Sequence, residues 1–206
     1  MGDRLLKILG IDPGLSLTGY GMIETGLHPK LIEAGVLKTP VSMSFEKRLL
    51  HLYESICEVI RTGQPESVAV EALFSHYGHP GPALQMAHAR GVLFLAAAQS
   101  GLSVFAYEPA RVKKSLTGRG AATKAQVQQM IQSVFDLEAP PSPPDVADAL
   151  AVALCHANAF QKGSLSRRSR KKGLPNHILE SIGREGFSPE ANPSIENLLK
   201  GIKRRR

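Results

Sequence analysis

Residues 8–14 read ILGIDPG, an apolar run that drives straight into a carboxylate and then a Pro-Gly turn. A run this apolar predicts a central strand, buried on both faces. Burying Asp12 at its end is costly unless something offsets its charge. The fold must therefore open at this strand end, and other parts of the chain must supply partners for Asp12.

The surrounding pattern shows what kind of fold does this. After a first strand over 6–12, GYGMIET (19–25) and KLIEAGVLKT (30–39) alternate as strands, with Gly26 and Pro29 marking the turn between them. This predicts an antiparallel meander. Ser44 is placed to cap an amphipathic helix over about 45–62, with Leu49, Leu52, Ile56, Val59 and Ile60 at helical spacing and Gly63 and Pro65 ending it. SVAVEALF (67–74) predicts a fourth strand, followed by a His/Gly/Pro loop over 75–82, a helix of small and apolar residues over about 83–99, and a fifth strand over 103–109. Helices are then expected over 110–116, 125–136 and 145–161, separated by TGRGAATK (117–124) and the proline-rich APPSPP (139–144). A meander followed by strand–helix–strand predicts an α/β fold with a mixed five-stranded sheet flanked by helices.

Charge is divided unevenly along the 206 residues. Residues 162–206 carry twelve Lys and Arg against four Glu, so the whole net charge of +7 belongs to this tail and the body is close to neutral. The apolar pattern also fades there. We expect a body over 1–162 and a flexible basic extension over 163–206. RRSRKK (167–172) and KRRR (203–206) read equally as nucleic-acid-attracting arms or as a solvated tail. Cys57 and Cys155 sit in apolar helical contexts and read as buried reduced thiols. No run reaches the roughly 18–20 apolar residues of a membrane span, and the N-terminus lacks a secretory pattern, so a cytoplasmic location is expected.

Four acids stand out against apolar surroundings. Asp12 ends the first strand and Glu71 follows the core of the fourth, while Asp145 and Asp148 open the last helix on one face. Taken singly, each has an ordinary reading. Asp145 and Asp148 could cap a helix and Glu71 could pair with a lysine. A cap does not explain acids at two strand ends as well. Four carboxylates in one place repel one another unless a cation neutralises them, and an all-oxygen set selects Mg²⁺ or Mn²⁺ over zinc. Paired ions of this kind serve phosphodiester hydrolysis.

ILGIDPGLSLTGYGMIE (8–24), VAVEALF (68–74), MAHARGV (86–92) and DVADALAVALCHA (145–157) together resemble the RuvC-type Holliday junction resolvases in order and spacing. The resemblance covers about 7–160. It implies a ribonuclease H-like fold and a homodimer that nicks two opposed strands of a four-way DNA junction, leaving 5′-phosphate ends. It also implies two Mg²⁺ per subunit, with Mn²⁺ as a substitute, and a branch-migration helicase complex as partner. Carried onto this sequence, it makes Asp12, Glu71, Asp145 and Asp148 the catalytic, metal-holding acids. Phe74 falls where the family has an aromatic that stacks on an unpaired base. Lys113 and Lys124 fall at basic residues facing the scissile strand, with Arg111, Lys114 and Arg119 in the same stretch as further DNA-binding candidates. His156 matches a family histidine and reads as a packing residue. The helix over 83–99 matches the family's dimer helix. The 75–82 loop and the basic tail lie outside what the resemblance explains.

Two other functions compete. An actin-like or sugar-kinase-like ATPase also opens on a strand ending in Asp-x-Gly. Such enzymes need a second related domain, and GRGAATK has Thr123 where a phosphate loop needs glycine. A non-catalytic junction binder would lack one or more of the four acids.

Overall fold

The computed structural model describes residues 5–72 and 80–169. By its contacts the chain divides into Met1–Leu165 and Ser166–Arg206. Beyond Ser169 the second unit lies outside the described residues, as do KRRR and the end of RRSRKK.

The body is a five-stranded sheet in the order β3-β2-β1-β4-β5. β1 (Lys7–Asp12), β2 (Leu17–Glu24) and β3 (Lys30–Lys38) form the expected antiparallel meander. β4 (Ser67–Glu71) and β5 (Ser103–Tyr107) add to β1 in parallel. β1 is therefore central, which explains its unbroken apolar run. β3 is an edge strand and half-exposed along most of its length.

Side chains alternate between the two faces of a strand, and the core divides accordingly. Leu9, Ile11, Val68 and Val70 pack on one face with Leu52, Ile56 and Ile60 of α1 (Phe45–Gly63) and Leu93 of α2 (Pro80–Gln99). Ile8 and Ala69 pack on the other with α5 (Pro144–Ser169), which lays Val146, Leu150 and Ala153 against the sheet. Val112 of α3 (Pro109–Thr117) and Val127 and Ile131 of α4 (Lys124–Val134) complete that second layer.

Several boundaries differ from the sequence reading. β4 stops at Glu71 rather than 74, and α2 begins at Pro80 rather than 83. Proline suits a first helical turn, where its missing N–H has no partner to lose. Ser44 is the N-cap of α1, but its hydroxyl donates to the Glu46 carboxylate and makes no backbone cap. Gln64, in a left-handed conformation with φ 51°, closes that helix through its N–H to the Ile60 carbonyl. α5 runs on to Ser169 instead of ending at 161, so the start of the expected extension is helical. Neither Cys57 nor Cys155 forms a disulfide; Cys155 is buried as expected, whereas Cys57 is only partly buried.

Candidate active site

The sheet places two of the acids by register alone. Asp12 shares the face of Ile8 and Gly10 on β1, and Glu71 shares that of Ala69 on β4, so both point to the α5 side. Ile11 is the partner of Val70, so one step on Asp12 lies beside Glu71. These are carboxyl ends of parallel strands, where open α/β sheets form their binding crevices.

α5 delivers the other two. Asp12 pairs with Gly19 of β2, and a β-carbon added at Gly19 would lie 2.1 Å from the Asp145 carbonyl oxygen. One added at Gly10 would lie 2.0 Å from the carbonyl oxygen of Ala149. The bare backbone at these positions lets the first turns of α5 rest on the sheet and brings Asp145 and Asp148 to the Asp12 strand end. In the sequence, GYGMIET reads as a strand by its alternation alone. Two glycines inside a strand were the available sign of a close backbone approach.

The other three acids all act on the ionisation of Asp12. The Asp12 carboxyl is pushed up to about 7, first by burial and then by Asp148, Glu71 and Asp145, with Lys124 opposing. Glu71 is also raised, by burial and by Asp148, while Lys124 and Lys113 hold it down. Lys124 Nζ donates to Asp148 Oδ2 at 3.2 Å. Lys124 opens α4, whose start is fixed by a reciprocal capping box between Thr123 and Gln126. Lys124 thus pairs with Asp148 and also feels the charges of Asp12 and Glu71.

Among the described residues, no three His, Cys, Asp or Glu side chains converge as a ready-made metal cage. Mutual repulsion keeps like carboxylates apart, and Lys124 engages Asp148. The donor chemistry nevertheless fits a hard divalent cation. The set is all oxygen, and a cation would relieve the charge crowding that lifts Asp12.

The remaining candidates separate. The charge of Lys113 helps to hold the Glu71 carboxyl down. Arg111 and Lys114 instead line a cavity of about 280 Å³ with Cys155 and Asn158, and the Arg111 guanidinium stands 4.9 Å from the centre of the Tyr107 ring. Arg119 lines another cavity of about 480 Å³ with Gln126 and Gln129. Phe74 lies outside the described residues. His156 is buried, with Tyr107 OH 2.6 Å from Nδ1, Ser67 Oγ 3.2 Å from Nε2 and Phe105 stacked on its ring.

A family model described as crossover junction endodeoxyribonuclease RuvC matches residues 8–156. The chain belongs to the RuvC family. A RuvC protein from Caldicellulosiruptor saccharolyticus is 46 % identical over 153 residues, 73 % of this chain and 92 % of the relative. One from Ruminiclostridium cellulolyticum is 44 % identical over 164 residues, 79 % of this chain and 98 % of the relative. Both are named crossover junction endodeoxyribonucleases. Thermus thermophilus RuvC, solved in complex with a Holliday junction substrate, superposes with a TM-score of 0.73 at 34 % identity, over 77 % of this chain and 97 % of that one. The yeast mitochondrial Holliday junction resolvase shares the fold, with a TM-score of 0.56 at 14 % identity over 79 % of this chain and 83 % of that one. The RuvC match spans both strand-end acids and the helix acids, so the ATPase alternative is set aside.

Proposed function

We propose that this chain is a Holliday junction resolvase: an endonuclease of recombination and repair that hydrolyses phosphodiesters at opposed strands of a four-way DNA junction. The observation that carries the reading is the register that sets Asp12 beside Glu71, with the start of α5 at Asp145 resting on Gly19, the strand partner of Asp12. Asp12, Glu71, Asp145 and Asp148 are the residues that would hold a divalent cation there. A divalent requirement goes with the family; Mg²⁺, two per subunit, is our specific assignment. A divalent cation held by these acids would supply an activated water and charge neutralisation at the leaving oxygen.

The chain's own groups do the rest. β1 and β4 hold Asp12 and Glu71 on rigid strands, which limits the slack in their placement. Lys124 and Lys113 carry positive charge to the edge of the cluster, where a scissile phosphate adds negative charge. Arg111, Lys114 and Arg119 bind DNA backbone farther out, and Phe74 stacks on a base at the opened junction centre.

Opposed nicks need two sites, and we assign the second to an identical partner. α2 supports this. Leu84 is 60 % and Leu95 55 % exposed, and they share a stripe with Gly91, whose added β-carbon would meet nothing within 4 Å. The basic extension over 163–206 adds non-specific affinity for DNA. A branch-migration helicase remains the partner class we assign. Among the described residues no helix is long and apolar enough to cross a membrane, which agrees with work on DNA in the cytoplasm.

The test of selectivity compares a synthetic four-way junction with linear duplexes of the same arm sequences, in Mg²⁺. We expect paired nicks in the junction and little cutting of the duplexes. Equal cutting of both would overturn the reading.

A further inference from the structure

We infer that Arg90 is a positioning residue that supplies the hydrogen-bond donor Pro13 withholds from the end of β4. The inference rests on Glu71 being a site acid.

The backbone geometry leads to it. N–H and C=O of one strand residue point to the same side, and successive residues alternate. The Ala72 N–H donates to the Tyr107 carbonyl at 2.8 Å, so Ala72 faces β5 and Glu71 faces β1. In a parallel ladder the Glu71 carbonyl would take the N–H of the β1-side residue opposite Ala72. The register that pairs Ile11 with Val70 brings Pro13 to that place. Proline has no N–H.

The Glu71 carbonyl is instead taken by Arg90 Nη1, reaching in from α2. Arg90 is half-buried, and its guanidinium lies 4.6 Å from the centre of the Phe94 ring one turn on, which holds the fork in place. Desolvation there lowers its basicity, as expected of a cation spent on a carbonyl rather than left in water. Pro13 withholds a ladder bond from the strand of the neighbouring acid, and Arg90 replaces it. It acts on the Glu71 peptide from the face opposite the carboxylate. It also ties α2, the helix with the unpartnered apolar stripe, to the acid cluster.

The full-length chain is tested as wild type, R90Q, R90K, P13A and P13A/R90Q. Amide exchange at Ala72 reads the strand end without any cleavage, so its failure is separate from a failure of the nuclease reading. We expect R90Q to speed exchange at Ala72 but not along β1–β2, and to lower kcat roughly 10- to 100-fold with junction Kd unchanged. R90K keeps the charge and the aliphatic stem and should retain intermediate kcat. P13A restores a backbone N–H opposite Ala72, so R90Q should cost less in that background. An R90Q effect on Kd with kcat intact would make Arg90 a phosphate contact and overturn the proposal. Equal R90Q costs in both backgrounds, or faster exchange throughout the sheet, would overturn it too.

Discussion

Gly19 and Asp145 are in backbone contact across the helix–sheet interface: the space for a Gly19 β-carbon is filled by the Asp145 carbonyl, 2.1 Å away. Gly19 is also the strand partner of Asp12. The missing side chain at 19 therefore sets how close the helix acids come to the strand acids. G19A has only backbone to push against. We expect it to cost about 1–3 kcal/mol of stability by urea unfolding and to lower kcat roughly 10²-fold at saturating junction. Unchanged kcat would show that the approach at Gly19 does not position the site.

The sequence states the strand acids openly, because an apolar run ending in Asp12 has few physical explanations. The antiparallel meander and the mixed character of the sheet were legible too, from alternating strands followed by a strand–helix–strand unit. The end of β4 was not. ALF extends the apolar run past Glu71 in sequence, and only the geometry shows the strand ending there. Nor was the division of the basic stretch 111–124. Within one helical turn, Lys113 lowers the Glu71 carboxyl by its charge while Arg111 and Lys114 line a cavity with α5. Periodicity alone does not say which face meets the acids.

Lys124 is expected to matter more for rate than for folding. Its bond to Asp148 is largely exposed on the lysine side and is worth about 1 kcal/mol or less to stability. K124Q removes the cation that opposes the rise of Asp12 and Glu71. Its kcat should fall roughly 10²-fold, with the thermal midpoint nearly unchanged. A large stability loss with normal kcat would make Lys124 a structural ion-pair partner only.

His156 gives the fold a defined acid sensitivity. Burial pushes it down to about 4 from the ordinary 6.5. Below 6.5 the unfolded chain takes up a proton that the folded chain refuses until about 4. Its contribution is therefore complete above 6.5, shrinks as pH falls to about 4, and is constant below. The difference in urea midpoint between wild type and H156Q should narrow over that interval. A difference independent of pH would show that the buried ring is not neutral.

The outer stripe of α2 predicts the assembly. L95E places a charge on that stripe, at an exposed position where the subunit's own core is untouched. Sedimentation should show a dimer for the wild type and a monomer for L95E, with unfolding little affected. A dimer that survives L95E unchanged would place the interface elsewhere.

The central claim is that Asp12 belongs to a set of acids that hold metal for junction cleavage. Its most direct test measures cleavage of a synthetic four-way junction by wild type and D12N, with Mg²⁺ and with chelator. We predict paired nicks by the wild type only with Mg²⁺, and a loss of roughly 10³-fold or more in D12N with junction binding retained. Wild-type cleavage in chelator, or a D12N variant that cuts as fast as the wild type, would contradict the account.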